Sequence, residues 1–185
     1  MLAATHPEIV IAIRTLIALV FLGAAAAKMR NWTIFPGIVA NYRLLPQVMV
    51  GPVAYALPPL EAAIGATLPT GLFAPWPEAA AAALLCVFAV AMGINLLRGR
   101  RHIDCGCFQG ALKQPLRWML TIRNVLLAAL LPVAAAGLSG RPDGWTVANG
   151  VLAGGALFIV LQSLNALWAI TPPVRRPGIQ TEGTS

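Results

Sequence analysis

The segment His102-Ile103-Asp104-Cys105-Gly106-Cys107-Phe108-Gln109-Gly110 concentrates the residue types best able to do chemistry in this chain. Cys105 and Cys107 stand one glycine apart. A disulfide between them closes a tight ring, and Gly106 can adopt the backbone angles that such a ring demands. Strained disulfides are oxidising and exchange readily. The pair precedes a helix, whose amino end stabilises a thiolate. Arg100, Arg101, Lys113 and His102 add positive charge, which favours the same ionised form. A thiol–disulfide relay therefore fits the pair better than a structural brace, because a staple in so short a loop removes little chain entropy. Two other readings stay open. His102, Asp104, Cys105 and Cys107 are all metal-ligating types, but they crowd into six residues, whereas zinc sites draw ligand pairs from separate segments. A soft metal shared with a partner protein is the form that survives. The cysteines could also be inert. Cys86 lies about 18 Å along a helix from Arg98, deep for a resolving thiol, and reads as a small buried apolar residue.

The elements that position this segment are apolar. Of 185 residues, 58% are hydrophobic and 10% charged, and mean hydropathy is +0.77. A soluble domain carries about a quarter charged residues, so a water-soluble monomer is excluded, and so is a disordered chain. The net charge of +7 would suggest nucleic acid on a soluble protein. Here the basic residues fall between long apolar runs, a pattern of membrane topology, and no nucleic-acid motif is present.

A membrane helix needs about 20 mostly apolar residues. Five candidates follow: Ile9–Ala27, Val50–Leu72, Glu78–Leu97, Leu116–Leu138 and Trp145–Ile170. The fold class expected is an all-α integral membrane protein, a bundle of five transmembrane helices, with a four-helix core and a fifth helix at the carboxyl end. Residues 1–170 form the transmembrane domain, and 171–185 a disordered tail rich in Pro and Gly. Pro52, Pro58, Pro59 and Pro69 predict a bent or interrupted second span. Pro132 predicts a kink in the fourth, and Pro115 suits its first turn. Trp32, Trp76, Trp118, Trp145 and Trp168 fall near span ends, where indole rings meet the interface. The runs Gly23–Ala27, Ala62-Ala63, Ala79–Ala83 and Gly150–Gly155 let helices approach closely. The first span reads as a retained anchor, since it lacks the positive flank of a signal peptide.

Loop charge sets orientation. Lys28, Arg30 and Arg43 are assigned to the first loop, Arg98, Arg100, Arg101, Lys113 and Arg117 to the third, and Arg175 and Arg176 to the tail. Arg141 stands on the opposite side, a ratio of ten to one. The positive-inside rule then puts the amino terminus outside and the carboxyl terminus in the cytoplasm. Three charges fall within spans. Glu61 is near the middle of the second, where a carboxylate is costly unless paired or protonated. Arg123 lies about 10 Å inside the fourth and Arg14 about 7 Å inside the first. Depth favours Arg123 as the partner of Glu61. Asn95, Asn124, Gln162, Ser163 and Asn165 could line the same interior.

The order of these features resembles one family. The first span ends Ala-Ala-Ala-Lys28-Met, followed by Phe35, Val39 and Asn-Tyr-Arg-Leu-Leu-Pro46. Then come Leu-Pro-Pro-Leu-Glu61, Gly65, Arg98-Gly, the run Asp104 to Phe108, and Arg123-Asn124. This is similar to the methylamine utilization protein MauE family, and more loosely to DoxX-like membrane proteins, over about residues 10–130. The family runs Cys-Gly-Cys-Phe-Gly, whereas here Gln109 intervenes before Gly110. The resemblance implies a protein of the bacterial inner membrane that takes part in processing, transport or disulfide formation of the exported small (beta) subunit of methylamine dehydrogenase. The implied partner is a thioredoxin-like protein of the MauD type. The family motif falls on Cys105 and Cys107 as the catalytic pair, with Gly106, Phe108, His102 and Asp104 around them and Glu61 and Arg123 as matching intramembrane charges. This favours an accessory maturation factor over a free-standing thiol–disulfide oxidoreductase.

Two alternatives belong to other classes. One is a DoxX-like electron-transfer subunit that hands electrons to quinone, the single cofactor under consideration, since no haem or flavin motif is visible. The other is an assembly or metal-transport protein whose cysteines never cycle. The charge pattern places Cys105 and Cys107 on the cytoplasmic side, whereas disulfides form outside. An outward-reaching loop, transmembrane electron transfer or an orientation opposite to the charge rule reconciles the two, and the first two are favoured. Either of these predicts that an impermeant thiol reagent labels Cys105 or Cys107 in intact cells in at least one redox state. Labelling seen only after permeabilisation would exclude outward access.

Overall fold

The computed structural model describes residues 6–100, 103, 116–135 and 142–170, with side chains to residue 167. Its elements are α1 (Pro7–Arg30), α2 (Phe35–Asn41), α3 (Gln47–Thr67), a 3-10 turn (Leu68–Thr70), α4 (Trp76–Leu97), α5 (Trp118–Ala135) and α6 (Gly144–Ile170). With the turn counted into α3, five of these helices are long and apolar enough to cross a bilayer. The expected all-α, five-span architecture is therefore present.

Polarity is arranged as a bilayer requires. Val87, Val90, Leu126, Leu152 and Ile159 are exposed on the outside, while Arg14, Lys28, Glu61, Glu78, Asn95, Arg123 and Asn124 are buried. In water this pattern would be inverted. In hydrocarbon an outward Leu costs nothing, and an unpaired outward charge costs several kcal/mol, roughly 2.5–3.5 by insertion scales.

α1 is the axis of the bundle. It packs against α3, α5 and α6, and α4 lies along α5. The core is built from Ile13, Leu16, Ile17 and Phe21 of α1, Ile64 of α3, Leu85 of α4 and Leu127 and Leu131 of α5. α6 is the most exposed of the five spans and docks chiefly along α1. Close backbone approach makes this contact. A β-carbon built on Gly154 would stand 2.5 Å from the Ala12 carbonyl oxygen and 2.7 Å from Thr15 Cβ. At its start, Asp143 occupies the N-cap position, its carbonyl accepting from the Val147 amide at 3.1 Å. The side-chain hydrogen bond from Thr146 holds the exposed Asp143 carboxyl below the usual carboxylate range.

Several expectations change. α1 does not stop at Ala27 but runs to Arg30, so Lys28 is a buried helical residue and not a loop charge. Pro52, Pro58 and Pro59 sit inside α3 without interrupting it, although Pro58 and Pro59 cannot donate to the Ala54 and Tyr55 carbonyls. Only Pro69 coincides with a change, in the 3-10 turn. Pro132 lies within α5, which continues to Ala135. The segment after α1 contains an unexpected helix, α2, whose Phe35 and Ile38 pack on Ala54 of α3. Cys86 is exposed on the outer face of α4, so it is not a core residue. Trp76, Trp118 and Trp145 stand at or beside the first residue of their helices, and Trp32 follows α1 and stacks on Tyr55 at 5.1 Å. Pro115, Arg141 and the tail from Thr171 lie outside the described residues.

If α6 is held by this close approach, Gly154→Leu lowers the stability of the detergent-solubilised protein by about 1–3 kcal/mol, the usual overpacking cost. An unchanged unfolding midpoint would mean that α6 does not rest on Ala12 and Thr15.

Candidate functional site

His102, Asp104, Cys105, Gly106, Cys107 and Phe108 lie outside the described residues. What the structure describes is the base from which their segment springs. The Leu116 amide donates to the Ile103 carbonyl at 3.1 Å, which brings together two residues thirteen positions apart. Ile103 rests on a cluster of Met92 and Leu96 from α4 with Leu116 and Leu120, flanked by Tyr42 and Phe88. Asn95 secures the end of α4. Its amide nitrogen donates to the Ala91 carbonyl at 3.0 Å, and the Arg100 amide donates to its carbonyl at 2.9 Å.

The intramembrane charges form two separate groups, about 21 Å apart along α1. The first is built on Arg14. Its Nη2 donates to the Ala134 carbonyl of α5 at 3.1 Å and stands 2.8 Å from Glu78 Oε1 of α4. Among the described residues no aligned hydrogen bond reaches either Glu78 oxygen, so the contact with Arg14 is chiefly coulombic. The guanidinium also lies over Gly71, which follows the 3-10 turn. A β-carbon there would meet Arg14 Nη1 at 2.7 Å, and the residue has φ +64°. Both the backbone angle and the space call for glycine. Arg14 thereby joins α1, α4, α5 and the α3–α4 connection at one end of the bundle.

The second group is built on Lys28, in the last turn of α1. The Lys28 ammonium donates to both oxygens of Glu61, at 2.5 and 2.7 Å. Its nitrogen is flanked by the rings of Phe35 and Phe88 at 5.5 and 5.4 Å from their centroids. Phe88 is about 18 Å along α4 from Trp76, close to the helix midpoint. The pair is therefore buried among apolar groups, level with the middle of α4. Contact with two ring faces adds a cation–π attraction of about 0.5–2 kcal/mol.

The pairing expected from depth, Glu61 with Arg123, is thus corrected. Glu61 is hydrogen-bonded to Lys28. Arg123 Nη2 instead donates to its neighbour Asn124 at 3.3 Å, and its Nε and Nη1 have no hydrogen-bond partner among the described residues. Depth was not the error, because Arg123, Asn124, Glu61 and Lys28 all line one small cavity of about 20 Å³. That is room for about one water molecule. Lys28 and Glu78 were the residues missed. The signal for Lys28 was available: helix-compatible residues continue past Ala27, with no stop signal before Asn31. Glu78 was counted as the edge of a span, whereas it is a first-turn residue of α4 and 1% exposed.

Beside the small cavity lies a larger one of about 260 Å³. Its walls come from α2, α3, α4 and the segment between α2 and α3, and are apolar apart from Lys28 and Tyr42. Lys28 and Phe88 border both cavities. Tyr42, Phe88 and Met92 line the larger one and also belong to the packing around Ile103. The base of the cysteine segment and the cavity therefore share a wall.

A buried pair is costly to break and cheap to replace as a unit. Lys28→Met and Glu61→Leu are each expected to lower unfolding stability by about 3–5 kcal/mol, and the double variant to recover most of that loss. Additive losses in the double variant, measured by unfolding in detergent, would show that the two groups do not act as a pair.

Comparison with known proteins identifies the family. The family described as methylamine utilisation protein MauE matches residues 6–140. The chain is 42% identical over 168 residues to "Methylamine utilization protein MauE" of Paracoccus denitrificans, covering 90% of both chains. It is 42% identical over 174 residues to the protein of the same name from Paracoccus versutus, covering 93% of this chain and 92% of that one. The protein of that name from Methylorubrum extorquens is 38% identical over 138 residues, 71% of this chain and 74% of the relative. No solved structure matches the chain. The residues that carried the resemblance and the extent of these matches lead to one conclusion: the chain belongs to the MauE family.

Proposed function

We propose that this protein serves methylamine utilisation from within the membrane, as a maturation factor for the exported small subunit of methylamine dehydrogenase. The observation that carries this reading is the family match over nine-tenths of the chain at 42% identity. The five apolar helices supply the membrane setting. The Cys105-Gly106-Cys107 run supplies the chemistry.

In this reading the cysteines cycle with a thioredoxin-like partner of the MauD type. A thiolate of the reduced partner attacks one sulfur of the Cys105–Cys107 disulfide, forming a mixed disulfide and releasing the other cysteine as a thiolate. The partner's second thiolate then displaces the first cysteine. The partner leaves oxidised, and Cys105 and Cys107 are left as two thiols. Two electrons have moved from the partner to the membrane protein, and the oxidised partner can then oxidise thiols of the small subunit. The clip between Ile103 and Leu116 supports this role by anchoring both ends of the segment to the bundle. The basic residues Arg98 and Arg100 lie just before it and favour the thiolate form.

Cys105→Ser and Cys107→Ser are each expected to abolish accumulation of the exported small subunit and growth on methylamine. One of the two single variants is expected to trap a mixed disulfide with the partner, seen on non-reducing gels. Normal accumulation in the double serine variant would overturn the reading.

A further inference from the structure

We infer that the 260 Å³ cavity is a binding site for a membrane quinone, whose ring lies between Phe35, Tyr42 and Phe88 with a carbonyl oxygen directed at Lys28. The inference deepens the maturation role above and rests on it for the source of electrons, though not for the site itself.

The cavity has the character of a site for a small planar apolar ligand. It is lined by apolar and aromatic side chains with few polar groups, the composition that orients a ligand by one or two polar contacts. Phe35, Tyr42 and Phe88 supply aromatic rings to its wall, and Leu57 and Met92 add apolar side chains. Two of the walls, α3 and α4, are helices long and apolar enough to cross a bilayer, where quinones partition.

Charge decides between a quinone and a plain acyl chain. An ammonium has three N–H donors, and the two contacts with Glu61 occupy two of them. Lys28 borders the cavity with a third. Behind it, Arg123 presents Nε and Nη1 without hydrogen-bond partners among the described residues, lining the small cavity that adjoins through Lys28 and Phe88. Among the described residues Lys28 is the charged side chain that lines the apolar pocket, and Glu61 and Arg123 line the small cavity beside it. An acyl chain offers the Lys28 ammonium no acceptor. A quinone offers a carbonyl oxygen that gains electron density on reduction, and the fixed cations stabilise it as it does so.

The redox balance closes with the same ligand. The two thiols left on Cys105 and Cys107 lose two electrons and two protons as the S–S bond forms, and a quinone takes up two electrons and two protons to become a quinol. A quinone is also the acceptor that keeps bacterial envelope disulfide chemistry oxidising. Tyr42, Phe88 and Met92 separate the cavity from Ile103, two residues before Cys105, so donor segment and acceptor pocket adjoin the same packing cluster.

The test uses full-length protein in lipid nanodiscs, photolabelled with an azido-substituted short-chain ubiquinone and mapped by peptide mass spectrometry. Label is expected on peptides of α2 and of α4 around Phe88. Ala91 lines the cavity, and Ala91→Phe, which fills it while leaving Lys28 and Glu61 intact, is expected to weaken labelling about tenfold or more. Equal labelling of Ala91→Phe, label confined to other helices, or displacement of the probe by palmitate but not by unlabelled ubiquinone would overturn the inference. The Cys105→Ser/Cys107→Ser double variant is expected to keep the label. If those cysteines prove dispensable for the small subunit while labelling persists, the maturation role fails and the quinone site stands. If they are required and no label appears in the pocket, the quinone site alone fails.

Discussion

A lysine ammonium and a glutamate carboxylate, bonded through both carboxylate oxygens in the middle of an apolar bundle, organise the rest of the molecule. Neither charge could be left alone there, because hydrocarbon offers nothing to replace the hydration each has lost. The demand for a partner brings α1 against α3 at a defined depth and rotation. It also places a cation beside Phe35, Phe88 and the two adjoining cavities. A nonpolar pair could hold the same two helices together at least as firmly. It could not make one end of an otherwise apolar pocket polar.

The Arg14 group has a different character. It ties three helices and a connection at one end of the bundle, and it lines neither of the two cavities beside Lys28. Its parts are those of a fastening: a guanidinium reaching a carboxylate, a backbone carbonyl and a glycine. The Lys28 group, by contrast, borders open volume and adjoins an arginine with donors to spare. The two ends of α1 thus divide the work of the charged residues, with closure at Arg14 and a polar-ended pocket at Lys28.

How much of this could be seen in the sequence differs residue by residue. The five spans were legible because hydropathy is a sum over neighbours along the chain, and α4, α5 and α6 begin within two residues of their expected starts. Gly154 was legible only as one member of a small-residue run; that it meets Ala12 and Thr15 depends on which face α1 turns toward it. The prolines of α3 were legible as a group but not singly: Pro52, Pro58 and Pro59 lie within continuous helix and Pro69 falls in the 3-10 turn, because a packed bilayer helix has few alternatives to helical backbone. Lys28 misled. A basic residue at the end of an apolar run looks like a loop charge, and only the continuation of α1 to Arg30 shows it turned inward.

Composition and order along the chain determined by themselves that this is a membrane protein of five spans, that two of its three cysteines, Cys105 and Cys107, stand one glycine apart, and which family's motif order it follows. These properties are additive or contiguous, so a one-dimensional record holds them. The identity of Glu61's partner, the pairing of Arg14 with Glu78, and the cavity that ends at Lys28 were decided only in the tertiary structure. Charges on different helices meet according to the depth, tilt and rotation of whole elements. An arginine or lysine side chain spans several ångströms, so more than one partner lies within reach until packing selects among them.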